Sequence, residues 1–137
     1  MLRKSEPKTL FLDDDPDRAE RFSRIYPHAS WVATSSDCIE MLSQKWDIVS
    51  LDHDLGGETY VDSEIEDCGM EVVRWLSENK PEHLQNTHFI VHSMNADAAL
   101  DMLNALKTAG YNAIWALTSL DIICFQSCLM LHWERKD

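Results

Sequence analysis

Long apolar runs, basic residues and a cysteine framework are all scarce in this sequence, and each shortage removes a class of function. The longest apolar stretch, around Ile122 to Trp133, is interrupted by Gln126, Ser127 and His132. It is too short and too mixed to span a bilayer. Residues Met1 to Lys8 lack the apolar segment of a secretory signal. A cytoplasmic chain with no membrane partner is the expectation. Lys and Arg number 12 against 24 Asp and Glu, a net charge of −12. Bulk nucleic-acid binding needs the opposite balance, whereas a phosphorylated ligand stays open, because acids can hold a divalent cation that faces a phosphate. Of the cysteines, Cys38, Cys68, Cys124 and Cys128, only the last two are close. A lone C-x3-C is a poor zinc or redox pattern, so reduced, mostly buried thiols are expected. Trp31, Trp46, Trp75, Trp115 and Trp133 are not interleaved with basic residues as a stacking platform requires; they read as core. No repeat or low-complexity segment is visible, and nothing speaks to oligomeric state.

What the sequence does have is alternation. At 137 residues and 45% hydrophobic content it suits one ordinary domain, residues 1–137. Thr9 to Leu12 is a short apolar run with the character of a buried parallel strand. Asp15, Pro16 and Asp17 then open a helix to about Tyr26, with Asp15 as cap and proline at the first position. Trp31 to Ala33 reads as a second strand. Ser35 or Ser36 caps a helix carrying Ile39, Leu42 and Trp46 on one face. Asp47 to Leu51 is a third strand, and Gly56 to Asp67 an acidic loop long enough to be a lid. A third helix carries Met70, Val73 and Leu76 and is bounded by Pro81. His88 to Val91 is a fourth strand. The fourth helix has a stripe of Ala99, Met102, Leu103 and Leu106 and a stop at Gly110. Ala113 to Ala116 is a fifth strand, and Leu120 to Trp133 fits helix and strand equally. The pattern predicts an α/β fold: a doubly wound, five-stranded parallel sheet in flavodoxin-like order, covered by helices as a three-layer sandwich.

In such folds ligands sit beyond the carboxyl ends of the strands. Asp13, Asp14 and Asp15 follow the first strand, Asp52, His53 and Asp54 the third, and His92, Ser93 and Asn95 the fourth. With strands one, three and four adjacent, these sets converge on one crevice. Carboxylates gathered there repel unless neutralised, and Mg²⁺ or Mn²⁺ is the usual answer. Asp13, Asp14 and Asp52 are the candidate metal ligands, with Asp54 either on the same side or starting the turn. His53 points away if the strand continues and reads as structural. His92 is a candidate acid or base. Ser93 and Asn95 are candidate catalytic and phosphate-binding residues at a helix N-terminus, and one of them caps that helix. Arg18, one turn into the first helix, is placed either to bind phosphate or to pair with a surface acid.

Acids after strand one, an Asp after strand three and a Ser after strand four resemble the response-regulator receiver domain. That resemblance implies Mg²⁺ held with Asp13 and Asp14, Asp52 as phosphoacceptor or ligand, and Ser93 as the hydroxyl that contacts the phosphoryl group. Where receivers carry a Lys after strand five, this chain reads Leu117-Thr118-Ser119. A closer resemblance is to the cyclic-phosphate-processing receiver domain. It rests on Phe11-Leu12-Asp13-Asp14 with Arg18, Leu51-Asp52-His53-Asp54-Leu55-Gly56-Gly57, Asp67-Cys68-Gly69-Met70 and His92-Ser93-Met94-Asn95, continues through Ala99, Met102 and Leu106 to Ala109-Gly110-Tyr111, and covers about residues 9–112. It implies a metal-dependent phosphoesterase acting on a cyclic phosphate, of a nucleotide or an RNA end. A non-catalytic, degenerate receiver that binds Mg²⁺ with a phosphorylated ligand or a protein partner is the alternative. A haloacid-dehalogenase-like phosphatase is disfavoured: Asp13-Asp14-Asp15 lacks the following Thr, and Pro16 interrupts the motif.

Overall fold

The computed structural model describes residues 7–55, 68–93 and 95–116. Five strands alternate with four helices: β1 (Thr9–Leu12), α1 (Pro16–Ile25), β2 (Ser30–Val32), α2 (Ser35–Met41), β3 (Ile48–Leu51), α3 (Gly69–Asn79), β4 (His88–His92), α4 (Ala96–Thr108) and β5 (Asn112–Ala116). All pairings are parallel, in the order β2-β1-β3-β4-β5. This is the doubly wound α/β sheet expected, with helices on both faces. The Gly56–Asp67 loop, Leu117 to Ser119, Cys124, Cys128 and the Leu120–Trp133 segment lie outside the described residues.

Strand alternation sorts the core into two. Leu10, Leu12, Val49, Leu51, Phe89 and Val91 face α2, α3 and α4, where they meet Cys38, Val72, Val73, Leu76, Met102 and Leu106. Phe11, Ile48 and Ile90 face α1 and meet Ala19 and Phe22. Each such fully buried side chain contributes roughly 1.5–3 kcal/mol.

The local signals act as their chemistry dictates. Asp15 caps α1, accepting from the Asp17 and Arg18 N–H groups. Gly110 ends α4 at φ 95°, which lets Tyr111 N–H return to the Leu106 carbonyl at 3.0 Å. Three expectations need correction. Thr34, not Ser35 or Ser36, caps α2, through its hydroxyl and the Asp37 N–H at 3.1 Å; Thr34 is the last extended residue, so its side chain faces the free N–H groups. Trp46 lies beyond α2 and enters the core from the following turn, its indole N–H on the Met41 carbonyl at 2.8 Å. Trp31 is not core: on the edge strand β2 it is 46% exposed, anchored by its indole N–H to the Asp13 carbonyl at 2.7 Å.

Among the described residues no helix is long and apolar enough to cross a membrane.

Candidate functional site

Register builds the site. Leu12, Leu51 and Val91 lie side by side on β1, β3 and β4. The next residues, Asp13, Asp52 and His92, therefore emerge in a row at the carboxyl ends of three neighbouring strands. By alternation they rise on the α1 face, above Phe11, Ser50 and Ile90. Their ligand atoms lie within 4.8 Å of one another, and all three residues are buried.

Asp13 is the centre. Its Oδ1 accepts from Arg18 Nη2 at 2.9 Å and from the Asp15 N–H at 2.9 Å. Its Oδ2 accepts from Arg18 Nε at 2.9 Å and from His92 Nε2 at 3.1 Å. Burial pushes this carboxyl up, but the bonds from His92 and Arg18 outweigh it and hold Asp13 at about 2. Asp13 is thus a carboxylate at neutral pH, and the nitrogen facing it must carry the proton. His92 consequently holds hydrogen on Nε2, and Nδ1 accepts from the Ser50 hydroxyl at 2.7 Å. Burial keeps the imidazole below its ordinary range, hence neutral. The ring lies flat on Phe11, 4.8 Å between centroids and 4° between planes.

Asp52 is the opposite case. Burial, with the charges of Asp13 and Asp14 adding, pushes it up to about 8 although Arg18 pulls the other way. Its nearest cation among the described residues is Arg18 Nη2, at 3.6 Å. The same guanidinium lies 3.8 Å from Asp14 and 3.3 Å from Asp15. Arg18 therefore stands among four carboxylates, and of the two placements open to it, it takes the pairing with acids.

The other expected residues divide. Asp14 reaches Arg18 but is not in the converging trio. Asp54 turns away, to His53 Nδ1 at 2.8 Å and the Asn95 amide at 3.3 Å. Strand β3 ends at Leu51, so alternation no longer carries Asp54 to the side of Asp52. His53 is buried on the α3 side and also hydrogen-bonds Cys68; these bonds raise its pKa although burial lowers it. Asn95 is the cap of α4, its Oδ1 accepting from the Ala98 N–H at 3.3 Å. Ser93 is buried and its hydroxyl accepts the Asn95 N–H at 3.1 Å. Both sit at the N-terminus of α4.

Three participants were given no role in the site from the sequence, although Cys68 and Gly69 stand in one of the motifs that carry the resemblance. Ser50 is a serine inside an apolar strand, and that break in character was the available signal. Gly69, first residue of α3, packs so tightly that an added Cβ would stand 2.1 Å from the Asp52 carbonyl oxygen. Cys68, buried as expected, is held below the ordinary thiol range: burial raises it, but His53 and the first N–H groups of α3 outweigh that. Cys38 is the buried core thiol expected, burial pushing it up to about 12.

A hard divalent cation fits this donor set. Two buried carboxylates from adjacent strands bring oxygens within 4.8 Å of one another, and among the described residues the cation nearest Asp52 is Arg18, at 3.6 Å.

An open parallel sheet in this order, with acids at the carboxyl ends of β1 and β3, defines a receiver fold. Solved receivers superpose on it. A response regulator from Colwellia psychrerythraea is 18% identical, with 93% of this chain and 99% of that chain covered and a TM-score of 0.67. The BeF3-activated DrrB receiver domain is 16% identical over 93% and 99%, at 0.61. A CheY-like receiver domain from Methylobacillus flagellatus is 16% identical over 90% and 98%, at 0.58. At these identities the likeness speaks for the fold. No curated protein matches the chain. Residues 8–108 match the family described as the cyclic-phosphate processing Receiver domain, and the chain belongs to that family.

Proposed function

We propose that this domain is a metal-dependent phosphoesterase that acts on a cyclic phosphate, carried by a nucleotide or an RNA end. The observation that carries the reading is the convergence of Asp13, Asp52 and His92 within 4.8 Å, at the end of the sheet where such folds bind ligands, with a guanidinium among them. Asp13 and Asp52 would hold Mg²⁺ or Mn²⁺, with Asp14 at the rim. When bound, the cation supplies Lewis-acid charge at a phosphate oxygen.

The chain's own groups do the rest. Arg18 presents a fork that suits two phosphate oxygens. Ser93, Asn95 and the first N–H groups of α4 form an anion cradle. His92, neutral and engaged at both nitrogens, is a positioning residue in this reading: it aims Asp13 and offers a hydrogen bond from Nε2, which is a smaller role than the proton shuttle its sequence position invites. Asp54 acts through Asn95, by orienting its amide.

The reading is tested with a panel of 2′,3′-cyclic nucleotides and Mg²⁺ or Mn²⁺, followed by phosphorus NMR. Metal-dependent turnover that is abolished in Asp52→Asn and strongly reduced in His92→Ala supports it, and the product isomer identifies the bond cleaved. A second reading, a degenerate receiver that binds a phosphorylated ligand or partner without turnover, is favoured by one observation: both His92 ring nitrogens are satisfied inside the protein. Metal binding without hydrolysis, lost in Asp52→Asn, selects that reading.

A further inference from the structure

The Asp13 carboxylate is full. A carboxylate offers about four lone-pair directions. Asp13 receives four donors: Arg18 Nη2 and the Asp15 N–H on Oδ1, Arg18 Nε and His92 Nε2 on Oδ2. A cation can coordinate either oxygen only if a donor leaves.

The donors differ in freedom to move. The Asp15 N–H belongs to the backbone turn that starts α1, where Asp15 itself caps the helix. His92 is buried, stacked on Phe11 and tied to Ser50. Arg18 is held on a long stem, and a third of its side chain is exposed. It is the donor that can leave at least cost. Its Nη2 also stands 3.6 Å from Asp52 and 3.8 Å from Asp14, in the space a cation shared by these acids needs.

Building on the metal-dependent reading, we propose that Arg18 is a displaceable counter-cation that couples metal binding to phosphate binding. With no divalent cation present, its guanidinium neutralises the acid pocket and is unavailable to an anion. A cation that takes Asp13 and Asp52 releases the guanidinium to the pocket mouth, and only then does the fork meet phosphate oxygens. Metal therefore binds before the phosphate ester, and Arg18 is the element both ligands bias.

The test follows arginine Nε–Hε resonances in the ¹⁵N-labelled full chain, with the Arg18 signal assigned by its loss in Arg18→Lys. In metal-free protein this signal should be strongly shifted and slow to exchange. Mg²⁺ should move it with the same midpoint as the calorimetric binding curve. Inorganic phosphate should move it again in the Mg²⁺-loaded protein and leave it unmoved without Mg²⁺. Arg18→Gln should bind Mn²⁺ about tenfold or more tightly than wild type. Arg21→Gln, the same charge change on the exposed side of α1, should stay within about threefold. A signal unmoved at metal saturation, or equal effects of the two glutamine variants, overturns the inference and leaves the metal-dependent reading intact. Absence of Mg²⁺ and Mn²⁺ binding in wild type and Arg18→Gln alike overturns both. Coupled movement without turnover of any cyclic nucleotide removes the enzyme and keeps the coupling.

Discussion

His92 Nε2 lies 3.1 Å from Asp13 Oδ2, although the two residues stand 79 positions apart on strands separated by β3. The contact forms because β1, β3 and β4 end in register. It fixes the imidazole tautomer and the ionisation of Asp13 together.

Asp13→Asn should destabilise the protein by about 2 kcal/mol at pH 7, the linkage value of a carboxyl moved from its ordinary range to about 2. The folded pKa lies below the unfolded one. The stabilisation is therefore complete above pH 4 and lost as pH falls toward 2. Urea unfolding at a series of pH values should show the gap between wild type and variant closing over that window.

Asp52→Asn should do the reverse. Here the folded pKa, about 8, lies above the unfolded one, so between pH 4 and 8 the native state keeps a proton the unfolded chain releases. Wild-type stability attributable to this group falls as pH rises through that interval. With chelator present, the variant should exceed wild type by at least about 1 kcal/mol at pH 9 and lose the advantage near pH 4. Mg²⁺ should raise the melting temperature of wild type and leave the variant unchanged.

Ser50→Ala leaves the buried Nδ1 of His92 without its donor, a loss of about 1–3 kcal/mol. Imidazole ¹⁵N chemical shifts should report the Nε2–H tautomer in wild type and variant alike, because the Asp13 carboxylate still faces Nε2. A mixture in the variant would show that Ser50 shares in setting it.

Gly69→Ala places a methyl group 2.1 Å from the Asp52 carbonyl oxygen, against the backbone of Asp52 and His53. The first turn of α3 must shift, at a cost of about 2 kcal/mol or more. Metal affinity should fall with stability, because the backbone the methyl group meets is that of Asp52. In Gly110→Ala, where the backbone is left-handed but the space is open, stability should fall by about 1 kcal/mol with metal binding untouched.

Period and punctuation made much of the fold readable in advance. Short apolar runs ending in acids marked β1 and β3, Asp15-Pro16 marked the start of α1, and Gly110 the end of α4, because these signals act within one turn of chain. Alternation of strands and helices predicted the doubly wound sheet, and the flavodoxin-like order assumed for it placed Asp13, Asp52 and His92 together, as the observed order does. Errors gathered where the deciding neighbour is distant. Trp31 looked like core until its strand proved to be the sheet edge. Asp54 alternates with Asp52 on paper, but β3 ends one residue before Asp52, so the side chain meets His53 and Asn95 instead. Ser50 gave no sign of its partner, 42 residues away.

The amino-acid sequence by itself determined which residues stand at the carboxyl ends of the strands, since hydrophobic period and turn chemistry are local. It also determined that acids stand at the ends of the first and third strands. Only the tertiary structure decided how they share charge: that Asp13 holds four donors, that Arg18 is the nearest cation to Asp52 among the described residues, and that Arg18 stands between the two acids. Those outcomes depend on distances of 3 to 4 Å between separate strands and helices. Electrostatics and desolvation change steeply over that range, and no spacing along the chain encodes it.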